Sequence, residues 1–234
     1  MALLPAQKEL RALASPAIAT VSQSFFKTGK GQYGEGDVFL GIKVPVLRAL
    51  AKRHREAGLD TVGTLLASHF HEERLFALLL LMQFYQRAGD REQAAAYRLY
   101  LDSTDRINNW DLVDVSAPHI VGKHLQDRPR KVLYTLARSP HLWERRIAII
   151  ATLHFIRRND FADTLGIASA LLQDEHDLMH KAVGWMLREV GKRDLTVEEG
   201  FLQQHYRGMP RTMLRYAIER FPEQKRKNYL YGKV

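Results

Sequence analysis

The chain has no cysteine. That excludes a disulfide framework and any zinc site built on thiolates, and it fits a reducing, cytoplasmic setting (nucleoid-associated if the cell is bacterial). Long apolar runs are missing too. The longest, residues 76–82, is far too short to cross a bilayer. The opening MALLPAQKELRAL turns charged at once, so no secretory leader is expected. Ten histidines are present, but none forms a His-Glu-x-x-His pair; with no thiolate available, no metal or other cofactor is expected. Ser116, Ser139 and Ser169 lack the context of a nucleophile elbow. The one glycine-rich segment, residues 28–36, has neither a preceding strand nor a Gly-Lys-Ser/Thr entering a helix, so it reads as a flexible connection and not as a phosphate cradle. No stretch alternates convincingly enough to be a strand; Phe39-Leu40-Gly41-Ile42 reads as a loop packed on the first helices.

What is present is helix. Apolar residues return at three- and four-residue spacing between Pro, Gly and Asp/Asn punctuation. Helices are expected at about 5–14, 17–27, 44–57, 60–69, 72–88, 91–103, 109–124, 128–138, 141–157, 161–173, 176–192, 196–206 and 210–220. Pairs beginning near 60, 91, 128, 161 and 196 recur roughly every 35 residues, the rhythm of helical solenoids. The expected fold class is therefore all-α: a curved HEAT-like helical-repeat solenoid. It is read as one domain over residues 1–234, with an N-terminal helical pair and Gly-rich loop at 1–37 and a solvated, partly disordered basic tail at 225–234. A compact irregular helical domain is the alternative. With 234 residues, 46% of them hydrophobic, the chain can bury a sizeable core either way. The formal net charge of +9 favours a polyanionic partner.

Three helical faces look wrong for a core. On the first, Lys181, Trp185, Arg188 and Lys192 share a stripe, while Ala182, Val183, Met186 and Val190 form the core contact beside it. Trp185 is either an amphipathic residue at the core margin with its N–H in water or an aromatic surface ringed by cations, as nucleic-acid grooves use. On the second, Arg146 and Arg157 lie eleven residues apart and point the same way. Arg146 suits both an ion pair to a neighbouring helix and a phosphate clamp. On the third, NNWDLVDVSAP, Trp110 and Asp114 meet at i,i+4 with Pro118 kinking or ending the helix beyond. A carboxylate between valines costs several kcal/mol to bury unless it is paired. It either bridges another helix, through Arg145 or Arg146, or is held ionised in a shielded cleft to meet a developing positive charge.

Taken in order, VFLGIKVPVLR, NNWDLVDV, LWERRIAI and KAVGWMLRE resemble the AlkD-like DNA alkylation repair glycosylases, over about residues 38–216. The resemblance implies a HEAT-like repeat with a basic concave groove around duplex DNA. It implies excision of cationic N3- and N7-alkylated purines, such as 3-methyladenine and 7-methylguanine, without drawing the base into a deep pocket. It implies that Trp110, Asp114 and Trp185 line the catalytic cleft against the deoxyribose, with Arg146 near the backbone and an aromatic of the second helix, Phe25, closing the cleft. Lys181, Arg188 and Arg157 are the further cations expected to contact DNA. The expected partner is double-stranded DNA carrying alkylated purines, bound by a monomer away from membranes. The alternative is a non-catalytic HEAT-repeat protein that binds DNA or a protein along its concave face.

Overall fold

The computed structural model describes residues 4–234; the first three residues of the N-terminal stretch lie outside it. The described residues form helices throughout, joined by turns and loops, with a lone bridge from Val38 to Phe70 in place of any strand. This is an all-α helical-repeat fold. No described helix is long and apolar enough to cross a membrane. The chain groups into two compact units, one ending at Ser116 and one starting at Ala117.

The first unit holds α1 (Pro5–Arg11), α2 (Pro16–Phe25), α3 (Val44–Arg53), α4 (Leu59–Leu66), α5 (His71–Arg87), α6 (Asp90–Asp102) and α7 (Trp110–Ala117), whose last residue crosses the boundary. Its centre is α5, which packs against α3, α4 and α6. Leu75 to Leu81 are all buried, because a helix surrounded on every side has no polar face to spare. That burial drags the preceding turn inward. His71, Glu72, Glu73 and Arg74 are each at most 3% exposed, and every one has acquired partners, as buried charge requires. Glu73 accepts from Gln7 at 3.0 Å and Arg11 at 2.5 Å, fastening α1. Glu72 accepts the backbone N–H groups of Leu40, Gly41 and Ile42 at 2.8, 2.7 and 3.1 Å. The loop expected at 39–42 is thus held between α5 and the α1–α2 junction. There Gly41 takes φ +80°, and a Cβ on it would collide with Ser15 O, so only glycine fits.

The second unit begins with a π turn, Pro118–Gly122, followed by α8 (Lys131–Ala137), α9 (Leu142–Ala151), α10 (Leu153–Ile156), α11 (Ala162–Ala170), α12 (Asp177–Gly191), α13 (Leu195–His205), α14 (Arg211–Ala217) and α15 (Glu223–Leu230). Pro118 does not stop the helix outright: α7 ends at Ala117 and the chain widens into a single π turn, which accommodates the missing N–H. The helix expected over 141–157 is broken at Thr152, whose hydroxyl bonds Ile149 O at 2.6 Å. The basic tail is not loose. Residues 223–230 form α15, Tyr229 is buried, and Tyr206 Oη donates to Val234 O at 2.8 Å.

At the centre of this unit, α12 packs most closely on α14. Gly184 makes that approach possible, since a Cβ there would collide with Met213 O and Tyr216. Gly191 performs a similar service for Glu198, which is 2% exposed. Burial pushes the Glu198 carboxyl up to about 8, against the opposing pull of Arg188 and Lys225. The unfolded chain therefore releases this proton at lower pH than the folded chain. The stability tied to it is full below the ordinary glutamate range and is lost as pH rises toward 8. Glu198→Gln should remove that slope. The expected result is a thermal midpoint raised by roughly 3–8 °C at pH 8.5 and unchanged at pH 4.5; equal shifts at both pH values would disprove the assignment.

Candidate active site

Helix α7 sorts its residues cleanly. Leu112, Val113, Ser116 and Ala117 are buried on the core side. Trp110, Asp111, Asp114 and Val115 occupy the other face and line a cavity of about 480 Å³. Of the two valines flanking Asp114, one thus serves the core and the other the cavity wall. Asn109 starts the helix, its side-chain oxygen accepting from Trp110 N–H at 2.9 Å and its carbonyl from Val113 N–H at 3.2 Å.

The cavity's other walls are Phe25 and Phe26 at the end of α2, Val44 and Arg48 on α3, and Leu75 on α5. The rings pack in sequence. Phe26 stacks on Trp110 with centroids 5.4 Å apart, and Phe25 meets Trp110 edge-on at 6.1 Å. Phe25 is 61% exposed, so the expected closing aromatic stands at the mouth. On its inner side Phe26 stacks on Phe39 at 5.0 Å, and both contact the His71 imidazole, at 5.1 and 4.4 Å. Asp114 is half-buried. Its charge is felt by Tyr100, whose phenol is pushed up first by burial and then by Asp114; Tyr100 Oη in turn bonds Ser116 Oγ at 2.9 Å.

The second unit holds the remaining expected residues. Trp185 is half-buried on α12, and its N–H is not left to water: it donates to Glu189 Oε1 at 3.0 Å. The cations around it are paired. Lys192 bonds Glu189 at 2.6 Å, Lys181 bonds Asp177 at 2.7 Å, and Arg188 bonds Glu219. This stripe is therefore largely neutralised, where the sequence suggests a cationic ring. Arg146 is 5% exposed and donates to Leu178 O at 2.6 Å, tying α9 to the first turn of α12. Arg145, the other candidate bridge, bonds Asp174 at 2.7 Å. Arg157 is carried elsewhere, exposed after α10. With Arg158, His119 and Lys123 it makes a basic cluster. Burial, then Arg158, His119, Lys123 and Arg157, push His154 down to about 4, so that imidazole is neutral.

Comparison with known proteins settles the relationship. A family model described as DNA alkylation repair enzyme matches residues 6–221. The chain belongs to the DNA alkylation repair enzyme family. A search of curated proteins gives no match. Among solved structures, a predicted DNA alkylation repair enzyme from Enterococcus faecalis aligns with a TM-score of 0.69 at 18% identity, over 90% of this chain and 97% of that one. At that identity the likeness speaks for the fold.

For a DNA alkylation repair enzyme, the cavity contains residues that spacing did not single out: Phe26, Arg48 and Asp111. Arg48 ends the VFLGIKVPVLR stretch and is exposed at the cavity. Phe26 and Asp111 each sit beside an expected residue, and their roles depend on His71, which belongs to a different helix. Among the described residues no cluster of His, Asp or Glu could hold a metal ion.

Proposed function

We propose that this family member is a DNA glycosylase that removes cationic N3- and N7-alkylated purines from duplex DNA. The observation that carries the reading is that Trp110 and Asp114 line one cavity with largely aromatic and aliphatic walls. An alkylated purine already bears positive charge and leaves without a general acid. As the C1′–N bond stretches, its electron pair goes to the base, which departs neutral, and the sugar becomes an oxocarbenium ion. A carboxylate in partly water-excluded surroundings stabilises that cation more strongly than it could in bulk water. The electron-rich face of Trp110 favours the charged sugar over the neutral one. Water then adds to C1′ and releases a proton.

The remaining groups follow from their surroundings. Trp185, its N–H already engaged by Glu189, has a ring face to offer a cation, as the resemblance suggests. Arg48 and Arg157, both exposed, suit phosphate contacts, and Phe25 suits a wedge or wall at the cavity mouth. Incubation with methylated genomic DNA tests the reading: released 3-methyladenine and 7-methylguanine are expected. Salt-sensitive binding with no release would instead favour a DNA-binding protein that does not cut. Binding itself should weaken steeply with ionic strength. About five phosphate contacts give a slope of log affinity on log salt near −4.5, measurable by anisotropy on an undamaged duplex. A flat plot would remove the phosphate contacts from the reading.

A further inference from the structure

His71 is 1% exposed and lies between two carboxylates. Its Nδ1 faces Asp37 Oδ2 at 2.8 Å and its Nε2 faces Asp111 Oδ2 at 2.9 Å. A neutral imidazole has one N–H and could satisfy only one of them; the imidazolium has two and satisfies both. Asp37 is in addition bonded by Arg74, which also donates to Asn108 Oδ1 at 3.1 Å. Asp111 has no such reserve. Its Oδ1 is buried without a donor, and among the described residues His71 is the only side chain bonded to it. Asp111 follows Trp110 in the first turn of α7 and lines the same cavity as Asp114. The His71 ring stacks on Phe39 and meets Phe26 at a tilt, and Phe26 stacks on Trp110. One side chain thus braces both the carboxylate face of α7 and the aromatic wall beside it.

We propose that His71, as an imidazolium bridging Asp37 and Asp111, is the positioning residue that holds the first turn of α7, and with it Trp110 and Asp114, in the arrangement that base excision requires. The proposal rests on the glycosylase reading above. The charged groups facing His71 are Asp37 from the loop before α3 and Asp111 from α7, with Arg74 of its own helix acting through Asp37. Burial alone would lower the imidazole; Asp111 and Asp37 outweigh it and lift the group to about 9. The bracing is therefore complete below the ordinary histidine range and is lost as pH rises through about 9.

The test is single-turnover release of 7-methylguanine from pH 6 to 10, corrected for spontaneous depurination, with duplex binding measured alongside. The wild-type rate should fall at least fivefold between pH 8 and 10 with little change in affinity. Asp111→Asn removes one of the two carboxylates, so its alkaline limb should move to lower pH by about one unit, the size of effect a nearby opposite charge has on a pKa. A residue that merely supports the fold would lower the rate without moving the limb. His71→Gln, checked for folding by circular dichroism, should be at least tenfold slow at pH 7.5 and lack the limb. An unmoved limb in Asp111→Asn, or a His71→Gln rate within twofold of wild type, would overturn the proposal while leaving the glycosylase reading intact. If wild-type protein releases no base at any pH, both fall together.

Discussion

Asp114→Asn is expected to slow excision about 100-fold, the scale of losing a preorganised electrostatic group, while duplex binding stays within about threefold. Asparagine matches aspartate in size and keeps a hydrogen-bonding oxygen, so the half-buried position on α7 can be filled without disturbing Leu112 or Val113 in the core. What disappears is the negative charge, and a developing oxocarbenium ion depends on that charge far more than the ground-state sugar does. The loss should therefore fall on the single-turnover rate and spare the dissociation constant. A near-normal rate would remove Asp114 from the chemistry and return it to the role of a helix bridge.

The surroundings of Asp114 make this more than an argument from one charge. The cavity has Trp110 and Phe26 stacked on one side and Phe25 at its mouth. Those rings give the space that Asp114 lines an uncharged, largely apolar wall, and the cavity's one cation, Arg48, is exposed on α3. The stripe around Trp185 in the second unit is nearly neutral as well. Its lysines and arginine are each paired with a carboxylate, which leaves the indole in nearly neutral surroundings. Exposed cations such as Arg48 and Arg157 are suited to phosphates, where positive charge helps.

The site was legible in the sequence where its logic is local. Four-residue spacing placed Trp110 and Asp114 on one face of a helix, and the core stripe of Ala182, Val183, Met186 and Val190 emerged as read, all four buried. Helix existence was similarly plain, because 3.6-residue periodicity is written along the chain. What stayed hidden depends on residues distant in sequence. The partners of His71 lie 34 and 40 residues away, so no local spacing points to them. A signal was present: HEER immediately precedes an apolar run that must be buried, so its four charges had to follow it inward and find partners there. The cationic look of α12 misled for a mixed reason. Asp177 to Lys181 is an i,i+4 pair and readable, whereas Glu219 comes from beyond α14. The tail looks loose in the sequence because it opens on the basic cluster Lys225-Arg226-Lys227. Tyr229, packed against Tyr206 and Phe221, anchors it together with the bond from Tyr206 to Val234 O.

Replacing Glu72 should do the greatest damage to stability. Its two carboxylate oxygens accept three backbone N–H groups from residues 40–42, and the side chain is almost wholly buried. Glu72→Ala leaves three donors without acceptors, at about 1–3 kcal/mol each. A loss of about 4 kcal/mol and a fall of roughly 10 °C in the thermal midpoint are expected. Glu72→Gln is the sharper variant. It preserves volume but offers one acceptor oxygen, and its amide N–H₂ must face a backbone donor, so it should be nearly as destabilising as alanine. A packing role would predict the opposite order, with glutamine close to wild type. The consequence should also reach the cavity. The 39–42 loop carries Phe39, which stacks on Phe26 and His71, and Phe26 stacks on Trp110. Releasing that loop loosens the aromatic wall from behind, so faster amide exchange in α2 and at the start of α7 should accompany the lower midpoint. Exchange confined to residues 40–42 would show that the loop and the cavity wall are not mechanically connected.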